Sequence, residues 1–275
     1  MKMDAVDNEL MQVTADDGCA LAVHRLRAGS ADVAPLVLVH ALAMDGLMWR
    51  DLAALLPPGP AIYAVDCRGH GRSGKPAGPY TTARFARDLA QVLDALDARQ
   101  AHLVGCSMGG TIALAFAGAC PQRLASLTVI DSTACYGADA PPAWEARAQK
   151  ALTGGLESLL QFQVERWFSP AYAQSHPAQV DALTATFKRN SVPAYVETCR
   201  MLGSADERAG LSNYRGPCAV VVGAEDYATP VAMSQEIARL IPGTQLNVLP
   251  DVRHYTPVEA PRAVAQCIAR VMARA

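Results

Sequence analysis

At 275 residues, 51% hydrophobic and 18% charged with a net charge of −2, the chain can bury a large core and suits one sizeable domain carrying an insertion. It has no clustered basic face of the kind phosphate binding needs, which argues against nucleic acid as a partner, and no segment long and apolar enough to cross a membrane. The eight cysteines are scattered without a C-x-x-C pair, and MKMDAVDNEL places Asp4, Asp7 and Glu9 where a secretory signal needs an apolar stretch; both features predict a cytoplasmic protein with free thiols.

In chain order, MQVTADDGCALAVHRL reads as two strands joined at Asp16-Asp17-Gly18, a hairpin signal. Short runs rich in Val, Leu and Ile then follow: PLVLVH (35–40), AIYAVD (61–66), AHLVGC (101–106), LASLTVID (124–131), CAVVVG (218–223) and TQLNVL (244–249). Runs of this kind suit strands buried on both faces of a mostly parallel sheet. Between them Thr82 to Ala98 places Phe85, Leu89, Val92, Leu93 and Leu96 on one helical face. The alternation predicts an α/β fold with right-handed crossovers and helices on both faces.

The alternation stops over 132–210, where helical runs (Trp144 to Leu152, Leu156 to Trp167, Val180 to Lys188, Ala194 to Leu202) have no strand between them. The economical division is a core of residues 1–131 and 211–275 with a helical cap of 132–210 inserted at one end of the sheet.

Three stretches carry chemistry. Gly105-Cys106-Ser107-Met108-Gly109 stands where a buried strand meets a small-residue helix, the strand–turn–helix setting of a nucleophile elbow. A turn that sharp strains the serine backbone and demands small residues two before and two after it. The alternative is a glycine-rich helix start with a capping serine. Cys106 is a competing nucleophile only on paper, since a strand residue at that position points into the core.

A serine needs a base, and the base an orienting carboxylate; with this elbow the chain order is Ser, acid, His. After Ser107 only His176 and His254 remain, and His254, in the loop after the last strand, opens on the same sheet edge as the serine. Asp226, just past CAVVVG, is the expected acid, with Glu225 and Asp131 as rivals. The backbone N–H groups of Met108 and Leu42 are the expected oxyanion donors.

GHGRSG (69–74) matches a dinucleotide-binding glycine pattern, with Asp88 at a tolerable distance. That pattern requires immediate entry into a helix, and Pro76 and Pro79 block one. With no H-E-x-x-H and no paired Cys/His cluster, the chemistry is expected to need neither cofactor nor metal.

VHALAMDGLMW, VDCRGHGRS, VGCSMGGT, VVGAEDYATP and RHYTP stand in the order found in the α/β-hydrolase family, and the chain resembles that family over nearly its whole length. Within it, GPYT (78–81), CSMGG and the cap stretches around Trp144 to Arg147, Glu165 to Phe168 and Pro193 to Tyr195 resemble the 3-oxoadipate enol-lactonases, bacterial enzymes of aromatic catabolism. His40-Ala41-Leu42 is closer to general esterases and carbon–carbon hydrolases of the family.

The resemblance implies an α/β-hydrolase fold and a serine hydrolase cleaving a small ester or lactone through an acyl-enzyme, as a monomer or homodimer. It also implies substrate contacts from Trp144, Arg147, Arg166 and Tyr195, the arginines serving an anionic substrate. Competing expectations are an esterase of other specificity, a hydrolase of meta-cleavage products, a perhydrolase side activity, and a binding protein without turnover.

Overall fold

A computed structural model of the chain describes residues 9–275; the residues 1–8 read above against a secretory signal lie outside the described residues. Eight strands form one sheet in the order β1-β2-β4-β3-β5-β6-β7-β8. The strands are β1 (Glu9–Thr14), β2 (Ala20–Arg27), β3 (Leu36–Val39), β4 (Ile62–Val65), β5 (Ala101–Cys106), β6 (Leu124–Ile130), β7 (Cys218–Gly223) and β8 (Gln245–Leu249).

The expected hairpin forms: β1 and β2 pair antiparallel from Glu9–Arg25 to Thr14–Ala20, and β2 runs antiparallel to β4. From β4 through β8 every pairing is parallel. β3, β5 and β7 are buried along their whole length, which is why they read as near-continuous apolar runs rather than alternating ones.

The helices are α1 (Arg50–Ala53), α2 (Thr82–Ala95), α3 (Met108–Ala119), α4 (Ala140–Gly154), α5 (Leu160–Trp167), α6 (Pro170–Ser175), α7 (Pro177–Lys188), α8 (Val192–Ser204), α9 (Arg208–Leu211), α10 (Val231–Leu240), α11 (Thr256–Glu259) and α12 (Pro261–Met272). Helix α2 buries Phe85, Leu89, Val92 and Leu93 as its periodicity predicts, and the Thr81 hydroxyl caps it by accepting from the Arg84 N–H. It stops at Ala95, and Leu96 already belongs to the C-terminal turn.

The helical stretch that follows His254 is two pieces, α11 and α12, broken at Ala260 before Pro261. A residue preceding proline is pushed out of helical conformation.

Helices α4 to α9 fill the chain between β6 and β7. The two ends of this segment meet in an isolated bridge between Cys135 and Asp206, beside which the Glu207 N–H donates to the Ala134 carbonyl at 2.9 Å.

The GHGRSG loop is an internal tie. The Asp66 carboxylate accepts from the Gly46 and Arg72 N–H groups, and the Arg68 guanidinium forks onto both oxygens of the buried Asp88 at 2.6 and 2.7 Å. Asp88 is therefore consumed in holding α2 against the loop.

Candidate active site

Ser107 sits between β5 and α3 with φ at 53° and ψ at −115°, a left-handed backbone that costs a non-glycine residue energy. The flanking glycines make the turn possible. A Cβ on Gly105 would lie 2.1 Å from the Gly109 carbonyl oxygen, and one on Gly109 would lie 2.2 Å from that of Val39. The turn is further held by the Ser107 N–H donating to Ile130 and by the Ser132 hydroxyl donating to the Ser107 carbonyl.

Three side chains from distant parts of the chain meet here. His254 Nε2 lies 2.9 Å from the Ser107 hydroxyl, and His254 Nδ1 lies 2.8 Å from Asp226 Oδ2. Asp226 is otherwise filled: Oδ1 accepts from the Ala228 and Thr229 N–H groups and Oδ2 from the Thr229 hydroxyl. Burial pushes this carboxyl up, but the His254 ring and the Thr229 donors outweigh it and hold it below the usual range. An ionised Asp226 keeps the imidazole hydrogen on Nδ1, which leaves Nε2 free to accept from serine.

The two rival acids are placed elsewhere. Asp131 is fully buried, accepting from the Gly223 N–H and from the Thr256 N–H and hydroxyl. Burial, and after it the Asp226 charge, push its carboxyl well up. It ties the end of β7 to the residue two past His254. Glu225 lies 3.6 Å from the Arg253 guanidinium and makes no bond to the imidazole. His176, the other candidate base, stacks on Tyr172 at 4.3 Å and bonds to Ser175.

Among the described residues, neither the Leu42 nor the Met108 N–H has a hydrogen-bond partner. Met108 opens α3, where a free N–H and the helix dipole favour negative charge. The loop carrying Leu42 is held by His40. The Cys67 N–H donates to His40 Nε2 at 2.9 Å, so Nδ1 bears the hydrogen and donates to the Ala41 carbonyl at 2.8 Å.

A cavity of about 440 Å³ opens over the serine, lined by Leu42, Ser107, Ala228, His254 and Tyr255 on the sheet side. Its other wall comes from α4 (Trp144, Arg147, Lys150), the preceding Tyr136, and the segment around α5 (Leu159, Phe162, Gln163, Arg166, Trp167). Three cations face it and, among the described residues, no carboxylate lines it. Arg147 is packed over the Trp144 ring, and its Nε donates to the Tyr195 hydroxyl at 2.7 Å. Tyr195 thus stands behind Arg147 and does not line the cavity.

Arg166 donates to the Tyr227 carbonyl at 2.7 Å; burial, then the Arg147 charge, pull its pKa below the ordinary value. The Trp167 carbonyl accepts from the Tyr255 N–H at 3.0 Å. Helix α5 is therefore fastened beside both Asp226 and His254.

Sequence reasoning missed Tyr136, Lys150, Phe162 and Gln163. Gln163 left a faint trace, a polar residue on the buried face of an amphipathic helix. Among the described residues no group of three His, Cys, Asp or Glu is placed to hold a metal ion, and no helix is long and apolar enough to cross a membrane.

The family described by the alpha/beta hydrolase fold matches residues 34–261. The chain is 32% identical over 262 residues to 3-oxoadipate enol-lactonase 2 of Acinetobacter baylyi, covering 95% of this chain and 96% of that protein. The crystal structure of the enol-lactonase from Burkholderia xenovorans LB400 superposes with a TM-score of 0.88 at 27% identity, over 96% of this chain and all of that one. A malate-bound thermophilic esterase from Thermogutta terrifontis gives 0.87 at 26% identity, over 95% and 97%.

Proposed function

The chain belongs to the alpha/beta hydrolase fold family, and from that premise we propose that Ser107, His254 and Asp226 hydrolyse a small anionic ester or lactone through an acyl-enzyme. The observation that carries this reading is the unbroken hydrogen-bonded line from Asp226 through His254 to Ser107 at the floor of a cavity that, among the described residues, has cations and no carboxylate on its walls.

Ser107 attacks the carbonyl carbon while His254 Nε2 takes its proton, and Asp226 stabilises the imidazolium that results. The oxyanion is received by the Leu42 and Met108 N–H groups. Collapse breaks the ester C–O bond, and the proton on Nε2 passes to the leaving oxygen. Water then attacks the acyl-enzyme, gives a proton to His254, and Ser107 leaves with that proton as the alcohol.

Arg147 and Arg166 bind the substrate's anionic group, with Trp144 packed under Arg147 and Tyr195 holding it from behind. The relatives named as enol-lactonases make an enol-lactone the first substrate to try. Its leaving oxygen stays tethered as an enol, which becomes a ketone after ring opening. In this reading residues 132–210 act as a cap over the core, the reaction uses no cofactor, and the protein works in the cytoplasm as a monomer or homodimer.

The test is turnover of a muconolactone-derived enol-lactone, neutral nitrophenyl esters and dienoate carbon–carbon substrates by the purified protein. The reading expects kcat/KM to be highest for the anionic lactone. Preference for the dienoates would replace it with carbon–carbon hydrolysis, and no turnover together with no reaction of Ser107 with an organophosphonate would leave a binding protein.

A further inference from the structure

The turn that carries Leu42 is held partly from the helical segment between β6 and β7. The Met44 N–H donates to the Ala41 carbonyl at 3.1 Å, closing the turn over Leu42 and Ala43, and Ala43 stands at a φ of 58°. That is a left-handed backbone for a residue with a Cβ, and such strain persists only where the surroundings enforce it. Ala43 is fully buried, and among the described residues the donor to its carbonyl is the Asn190 carboxamide, at 2.6 Å and 147 positions along the chain.

Asn190 lies between α7 and α8. Its Nδ2 also reaches the Thr186 and Phe187 carbonyls of the last turn of α7, at 2.9 and 3.3 Å. Three carbonyls around one amide nitrogen fix which way the amide faces. Its Oδ1 is buried and, among the described residues, has no partner, so the group serves here as a donor alone. The end of α7 is itself anchored. Phe187 is fully buried edge-on to Trp167 and Tyr195, with ring centres 5.4 and 5.9 Å apart, and Trp167 stacks at 4.9 Å on Tyr255, the neighbour of His254.

We propose that Asn190 is a positioning residue for the oxyanion site: by holding the Ala43 carbonyl it fixes the strained turn that aims the Leu42 N–H. The proposal rests on the reading that Leu42 and Met108 receive the oxyanion of a serine hydrolase. One block of side chains then sets both halves of the machinery, backing His254 through Trp167 and Tyr255 and the oxyanion turn through Asn190. Catalysis by such donors depends on their standing ready before charge develops, so a turn free to relax loses rate without losing any group that touches substrate.

The experiment compares 4-nitrophenyl acetate with its thiono analogue, C=S in place of C=O, on the purified protein and its Asn190→Leu, Asn190→Asp and Ser191→Ala variants. Sulfur is larger than oxygen and a weaker acceptor, so donors placed for an oxyanion favour the oxygen ester. Loss of the base or of folded protein slows both esters alike and cancels in the ratio of their kcat/KM values. For the natural chain that ratio should exceed the ratio for hydrolysis by hydroxide by about a hundredfold or more. Both Asn190 variants should lower it by about tenfold, short of the 10²–10³ that outright loss of one donor costs. Ser191→Ala removes only the hydroxyl that caps α8; it should lower Tm and leave the ratio unchanged.

The proposal is overturned if both Asn190 variants keep the natural ratio, or if Ser191→Ala lowers it as much as they do. The underlying reading fails by a different result, a natural chain that leaves both esters intact or whose ratio matches that of hydroxide.

Discussion

Replacing Asp226 by Asn changes one atom, and its effect follows from who donates to whom. Oδ1 accepts from two backbone N–H groups, those of Ala228 and Thr229. The new NH2 cannot face them, so the amide must turn it toward the side where Oδ2 now faces His254 Nδ1 at 2.8 Å. Nδ1 must then accept, the ring hydrogen moves to Nε2, and Nε2, 2.9 Å from the serine, can no longer take its proton. The shape is preserved and the tautomer is wrong. Loss of the base in this manner costs about 10⁴ in kcat, on the order of 5.5 kcal/mol of transition-state stabilisation.

The assay is kcat on a neutral ester near pH 7.5, with Tm measured alongside to show that the fold is kept. Asp131→Asn is the control. It disturbs bonds to Gly223 and Thr256 and should lower Tm while leaving kcat within about tenfold, because one mismatched buried bond costs about 1–3 kcal/mol of stability. An Asp226→Asn enzyme within tenfold of the natural one, or one less impaired than Asp131→Asn, would refute this reasoning.

Gly105→Ala should abolish soluble folded protein or lower Tm steeply, since its Cβ would meet the Gly109 carbonyl oxygen at 2.1 Å; an unchanged Tm would remove the steric account of the turn. Arg166→Gln should raise KM for an anionic ester by about tenfold to a hundredfold, the range of one charge-assisted bond, and leave a neutral ester unaffected. Equal effects on both would show that Arg166 only props the Tyr227 loop. Stability should fall in acid for a stated reason: burial holds the His70 ring down to about 3, against 6.5 when unburied. Between those values the unfolded chain binds the extra proton, so stability is full above pH 6.5 and declines by about 1.4 kcal/mol per pH unit for this residue as pH falls toward 3. His70→Gln should flatten that slope in denaturant titrations, and an identical slope would contradict the assignment.

The sheet was legible because a strand buried on both faces has to be almost wholly apolar: CAVVVG is, and AHLVGC is but for His102, whose ring shares a hydrogen bond with the Ser126 hydroxyl. The elbow was legible because its steric demands fall on specific positions, Gly105 and Gly109. The convergence of Asp226 and His254 on Ser107 could be anticipated from chain order, since parallel strands bring their C-terminal ends to one edge.

The helical segment between β6 and β7 was harder to read. Periodicity tells which face of a helix is buried, yet not whether that face meets the core or walls a cavity. Gln163 and Tyr136 therefore gave no clear sign. Tyr195 and Arg147 both suggested substrate contact, and only packing places the tyrosine behind the arginine. Short helices such as α6 and α9 have too few turns to show a period at all.

The most direct measurement is reaction of the purified protein with a fluorophosphonate, followed by mass analysis of its peptides. The account predicts one label per chain, on Ser107, with esterase activity falling in step, and no label in Ser107→Ala or His254→Ala variants of unchanged Tm. Full labelling at another residue, or a Ser107→Ala enzyme that keeps most of its activity, would contradict it.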